Sequence, residues 1–131
     1  MRRYVVRKVR GTVARRVAVH ARAVVGAPVA VGRAVAHVIM QANAENAAGG
    51  IGVDLKSARE LLSSGVNVLT SGNHIWKKKE IYQYMDEHSE LIRPANYPEG
   101  APGRGWCAWQ NEDGLKALII NVQGRVFMPN H

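Results

Sequence analysis

The sequence predicts an α/β layered domain, with parallel strands early and an antiparallel pair late. Three observations carry this. Two short apolar runs, "HVIMQAN" and "VNVLT", each lead through a loop into a segment whose apolar residues recur at helical spacing. Both loops are rich in Gly and Asn, the residues that let a chain turn sharply off a strand. Near the end, "WCAW" and "LKALIINV" flank "QNEDG", the pattern of a hairpin with Gly114 in its turn. The expected order is strand, helix, strand, helix, then two strands.

Each element has its own local reason. "HVIMQAN" is a buried strand running into "AENAAGGIG", whose glycines permit backbone conformations other residues avoid. Asp54 is a good N-cap for "LKSARELLSSG". Leu55, Ala58, Leu61 and Leu62 share a face of that helix, and Gly65 closes it. "VNVLT" is the next strand. "WKKKEIYQYMDEH" reads as a second helix with Ile81, Tyr84, Met85 and His88 on its apolar side. Lys77, Lys78 and Lys79 form its solvated start, although positive charge there opposes the helix dipole and suits a nearby anion or acidic site. "LIRPANYPEGAPGRG" carries Pro94, Pro98 and Pro102 and reads as a rigid loop. Trp106 and Trp109 read as core or rim packing ahead of base stacking.

The chain of 131 residues suits one domain with a modest core, or a piece of something larger. No run of about eighteen uncharged apolar residues predicts a membrane span, and the basic N-terminus lacks the apolar centre of a signal peptide. Cys107 is the single cysteine, which excludes an intrachain disulfide and suits a reducing cytoplasm.

Charge is unevenly placed. The first 44 residues hold nine Lys or Arg and no acid, whereas the rest hold nine Lys or Arg against ten Asp or Glu. The net charge of +8 therefore originates in the first third of the chain. Residues 1–38 contain no Leu, Ile, Phe, Ser, Asn, Gln, Asp or Glu. "YVV" suits a strand, and "ARRVAVHARAVV" has rough helical spacing. One reading is a basic arm for nucleic-acid phosphates, and another is an amphipathic helix at a membrane surface. The leading reading is a frameshifted start: Ala, Val, Arg and Gly dominate when GC-rich DNA is read out of frame. The division expected is residues 1–37, basic and atypical, frameshifted or disordered, followed by a domain over 38–131.

Chemistry belongs at the two loops beyond the strand ends, where open α/β sheets gather their ligands. One loop carries Glu45 and Asn46, and the other carries Asn73 and His74. A carboxylate, two amides and an imidazole suit a hard-metal or phosphate site. The plainer uses are loop solvation for Glu45, an Asx turn for Asn46 and a hydrogen-bonded structural role for His74. "GGIG" lacks the spacing of a dinucleotide-binding fingerprint.

"ANAENAAGGIG", "GVNVLTSGNHIWKKKEI", "LIRPANYPEGAPGRG" and "INVQGRVFMP" together resemble the YmdB-type branch of the calcineurin-like metallophosphoesterases, over about residues 38–129. The resemblance implies a four-layer α/β/β/α sandwich, here partial, with two divalent metal ions at the strand ends, Mn or Fe being expected. It implies hydrolysis of phosphodiesters, with 2′,3′- or 3′,5′-cyclic nucleotides as the substrate types. Glu45, Asn46 and Asn73 fall on metal-ligand positions. His74 corresponds to the histidine that stabilises the phosphoryl transition state or protonates the leaving oxygen. Gly72 is expected to turn the backbone so that both neighbours face the site. Lys77 stands where relatives often carry an acid.

Two departures from the family pattern matter more. Its first strand ends in a metal-binding Gly-Asp, and residues 1–37 hold no aspartate. Its histidine ligands lie downstream of "GRVFMP", and His20, His37, His88 and His131 match none of them. The chain thus reads as an incomplete copy with half the metal shell, poor turnover and uncovered apolar surface. The reading from another class is a non-enzymatic basic protein that binds nucleic acid through the Arg-rich segment. No membrane partner is expected, and the oligomeric state is left open.

Overall fold

The structure, a computed structural model, describes residues 21–26, 37–112 and 114–124. Among the described residues, six strands and two α-helices follow in the order β1 (Ala21–Gly26), β2 (His37–Asn43), α1 (Leu55–Ser63), β3 (Val68–Thr70), α2 (Ile81–Glu87), β4 (Leu91–Ile92), β5 (Trp106–Gln110) and β6 (Lys116–Ile120). A 3-10 helix, Asn73–Lys77, sits between β3 and α2.

The first sheet has the order β1-β2-β3-β4. β2, β3 and β4 are parallel, as the strand–helix alternation requires, with Asn43 opposite Thr70 and Thr70 opposite Ile92. β5 and β6 pair antiparallel as a separate sheet, with Trp106 opposite Ile120. The hairpin closes at Asn111, whose carbonyl accepts from the Gly114 N–H at 3.1 Å; Gly114 has φ 84°, the left-handed region that glycine enters without cost.

Side-chain alternation divides the core in two. Ala42, Leu69 and Leu91 face the helices and pack with Ala58, Leu61, Ile75, Ile81, Tyr84 and Met85. Val68 and Ile92 face the other way and pack with Cys107 and Ile119 of the hairpin. The helices therefore cover one face of the first sheet and the hairpin covers the other, which builds α/β/β layers of a partial sandwich. Leu69, Ile75, Ile81 and Ile92 are fully buried, each burial contributing about 1.5–3 kcal/mol before conformational entropy is counted. Cys107 is buried in the second cluster, and burial first, then the charge of Glu90, pushes its thiol pKa up. It is a packing residue. The outer face of the hairpin is apolar and open: Trp106 is 48% exposed, Leu118 62% and Ile120 57%. Trp109 lies half-buried on the opposite face.

Several elements depart from the sequence expectation. Strand pairing at β3 begins only at Val68, because the Asn67 side chain accepts from the Met40 N–H at 2.9 Å in place of a backbone carbonyl. The second helix starts at Ile81 rather than Trp76, without a capping side chain; the preceding residues form the 3-10 helix and a turn, so the three lysines lie ahead of α2. Leu91–Ile92 is a strand within what reads as the rigid loop. Ala21–Gly26 is a strand antiparallel to β2, where the Val and Ala spacing suggests a helix. The other expectations for the N-terminal segment, and those for His20 and His131, fall outside the described residues. Among the described residues, no helix is long and apolar enough to cross a membrane.

Candidate active site

β2 and β3 end side by side, and the pairing runs one residue further: the Ala44 N–H donates to the Thr70 carbonyl at 2.8 Å. The two loops expected to carry chemistry thus leave the sheet from adjacent strands. In the first loop, Asn43 Oδ1 accepts from the Glu45 N–H at 2.9 Å. Ala44 and Ala47 are buried on either side of Glu45 and Asn46. Burial of the two alanines leaves the carboxylate and the amide as the groups that face outward.

The second loop is held more tightly. Ser71 Oγ donates to the Ile92 carbonyl at 2.9 Å. Asn121, just past β6, donates through Nδ2 to the Ser71 carbonyl at 2.6 Å. The Ile75 N–H donates to the Gly72 carbonyl at 3.2 Å, and the Ile75 side chain is fully buried. Asn73 and His74 are carried between these anchors, both half-buried. Gly72 itself has φ −135° and ψ −151°. That is extended backbone open to any residue, so a special turn does not explain this glycine. Space does: a Cβ at position 72 would lie 2.7 Å from Glu45 Oε2 and closer still to Oε1.

Contacts link three of the four candidate residues. Glu45 Oε1 is 3.8 Å from His74 Nδ1. The Asn46 amide is 2.7 Å from the same nitrogen. The amide atom facing His74 also lies 3.2 Å from the Glu45 carbonyl and 3.1 Å from the Gly50 carbonyl, surroundings of acceptors that make it the nitrogen, its two hydrogens shared among the three with His74 Nδ1 the nearest. Nδ1 of His74 is then an acceptor, and the ring proton sits on Nε2. In this tautomer the Glu45 contact is not an ion pair. Asn73 occupies the first position of the 3-10 helix beside His74, and its amide makes no hydrogen bond with the described residues.

The donor set fits one side of a divalent-cation site. Carboxylate and amide oxygens are hard ligands. Among the described residues, no group of three or more His, Cys, Asp or Glu could hold a metal ion, so Glu45 would be joined there by neutral amides. His88 is away from the site, its ring stacked on Tyr84 at 3.9 Å between centroids.

Positive charge borders the first loop. Burial raises the Asp54 pKa, but the hydrogen bonds from Ser57 and the charges of Lys78 and Lys56 outweigh it, and the carboxyl is held below its ordinary value. Behind His74, Trp76 packs against Tyr97 at 5.2 Å and Tyr82 at 5.7 Å. Sequence reasoning missed Asn121 as a support of the site. Its signal was available: an amide directly after a strand, within a block shared with the resembled family.

Known proteins resemble this chain in sequence and in fold. The chain is 46% identical over 87 residues to a Bacillus subtilis (strain 168) protein named 2′,3′-cyclic-nucleotide 2′-phosphodiesterase, covering 66% of this chain and 33% of that protein. The fold matches the crystal structure of a hypothetical protein from Thermus thermophilus with a TM-score of 0.64 and 42% identity, over 69% of this chain and 35% of that one. It matches a phosphatase from Mycoplasma pneumoniae with a TM-score of 0.58 and 32% identity, over 68% of this chain and 33% of that one. The chain thus spans about a third of the length of these relatives. A model of YmdB-like proteins matches residues 29–131, most of the sequence, and the chain belongs to that family.

Proposed function

We propose that this chain carries one side of the active site of a divalent-metal-dependent phosphodiester hydrolase of the calcineurin-like type. The observation that carries the reading is the contact of Asn46 with His74 Nδ1 beside the Glu45 carboxylate, at the ends of two adjacent parallel strands. Glu45 and Asn73 would offer oxygen ligands to a pair of divalent cations, Mn or Fe, which when bound would activate water and neutralise phosphate charge. Asn46 serves twice: its nitrogen orients His74, and its oxygen points away from the ring as a further ligand.

His74 is a hydrogen-bond donor in this reading. With Nδ1 occupied as an acceptor, the Nε2–H of the neutral ring would donate a hydrogen bond to a phosphoryl oxygen and stabilise the charge that develops there. Cyclic nucleotides are the substrate class proposed, in keeping with the name of the Bacillus subtilis relative, and the cytoplasm is the proposed location. The test is hydrolysis of bis-p-nitrophenyl phosphate and 2′,3′-cyclic AMP with added Mn²⁺. Activity that depends on Mn²⁺ and is lost in Asn73→Ala and His74→Ala supports the reading. Activity indifferent to both substitutions contradicts it.

A further inference from the structure

We propose that Gly72 is a positioning residue whose missing side chain forms the seat of the Glu45 carboxylate. The inference rests on the metal-site reading above and adds a residue to it. A glycine is usually required for its backbone freedom, but here the backbone angles are open to any residue. What position 72 lacks is room. A Cβ there would meet Glu45 Cδ at 2.5 Å and Oε2 at 2.7 Å, with Oε1 nearer still. Real Cβ atoms do not approach a neighbour so closely.

The other neighbours make the seat specific. Gly72 is buried, and its backbone is held through the Ser71 hydrogen bonds to Ile92 and Asn121 and by the bond from Ile75. A methyl group at position 72 therefore cannot retreat. Glu45 can: its side chain is 25% exposed and ends in a flexible carboxylate. The strain of Gly72→Ala is relieved by driving Glu45 off its seat, away from His74 at 3.8 Å and from any cation held between the loops. Gly72 thus fixes where the Glu45 carboxylate lies beside His74, and so where it would meet a bound cation.

Two measurements on the full chain test this. The first is metal-free: an NMR cross-peak between the Glu45 Hγ protons and Gly72 Hα. Its presence is expected, and its absence overturns the proposal. The second is a cycle of Mn²⁺ affinities by calorimetry. Gly72→Ala is expected to weaken Mn²⁺ binding by about 10- to 100-fold, the range for residues that orient ligands. In a Glu45→Ala background the same substitution is expected to change nothing further. An equal loss in both backgrounds overturns the proposal. If Gly72→Ala does not fold, Gly72→Ala/Glu45→Ala decides: recovered circular dichroism supports the seat, and an unfolded double variant overturns it. Wild-type protein that shows the cross-peak but binds no Mn²⁺ contradicts the phosphodiesterase reading and the metal part of this one, while leaving the seat itself intact.

Discussion

The amide nitrogen of Asn46 donates to Nδ1 of His74 at 2.7 Å, and this bond decides which ring nitrogen carries the proton. Asn46→Asp replaces the donor by an acceptor at nearly constant shape. The His74 ring then takes a proton on Nδ1, which ¹⁵N chemical shifts of the imidazole will register. Hydrolysis should fall by about 10- to 100-fold, as for other residues that orient an active group. Unchanged ¹⁵N shifts would show that the ring is not set by this contact.

Asn121 ties the site loop to the hairpin layer. Its Nδ2 donates to the Ser71 carbonyl at 2.6 Å, and its backbone bridges the Gly105 carbonyl and the Ala95 N–H at 3.0 and 2.7 Å. Asn121→Ala leaves the Ser71 carbonyl, one residue before Gly72, without that donor. The expected cost is about 1–3 kcal/mol of stability in urea titration. Amide exchange at Gly72 and Asn73 should accelerate more than the global change accounts for.

Asp54 caps α1 by accepting from the Ser57 N–H at 2.7 Å. Asp54→Ala should cost about 1 kcal/mol, the usual worth of such a cap. The pH dependence has a definite sign. Because the folded carboxyl is held below its ordinary value of 3.8, its contribution is complete above that pH and is lost as pH falls through the lower folded value. Urea midpoints at pH 7 and below pH 3.8 should therefore differ by less in Asp54→Asn than in the wild type.

The open face of the hairpin predicts self-association. Leu118 and Ile120 point outward, whereas Ile119 packs against the Val68, Ile92 and Cys107 cluster. Leu118→Lys with Ile120→Lys should raise solubility and shift light scattering toward monomer, at a stability change within about 0.5 kcal/mol per site. Ile119→Lys should unfold the hairpin layer instead. Equal damage from both changes would mean that the outer face is packed.

Much of this fold is written locally. β2 ends where its apolar run ends, at Asn43, and α1 begins at its Asp54 cap and gives way to Gly65. What could not be read depends on partners far along the chain. Leu91–Ile92 is a strand only because Leu69 and Thr70 lie beside it. Ala21–Gly26 takes its conformation from pairing with β2. The start of α2 at Ile81 reflects three preceding lysines that disfavour a helix N-terminus, an effect visible in the sequence yet outweighed there by the apolar spacing.

The candidate site divides in the same way. Glu45, Asn46, Asn73 and His74 are legible because strand ends in an α/β sheet are where ligands gather. Asn121 meets Ser71 from fifty positions away. The need for glycine at position 72 is set by a carboxylate on another loop, and no local rule of backbone conformation reveals it.

The measurement that bears most directly on the metal-site reading is Mn²⁺ binding to the full chain, followed by calorimetry and by the electron paramagnetic resonance of the bound ion. The account predicts saturable binding that Glu45→Gln and Asn73→Ala each weaken, with His74→Ala altering hydrolysis more than affinity. Mn²⁺ that fails to bind, or that binds equally well after both ligand substitutions, would contradict it.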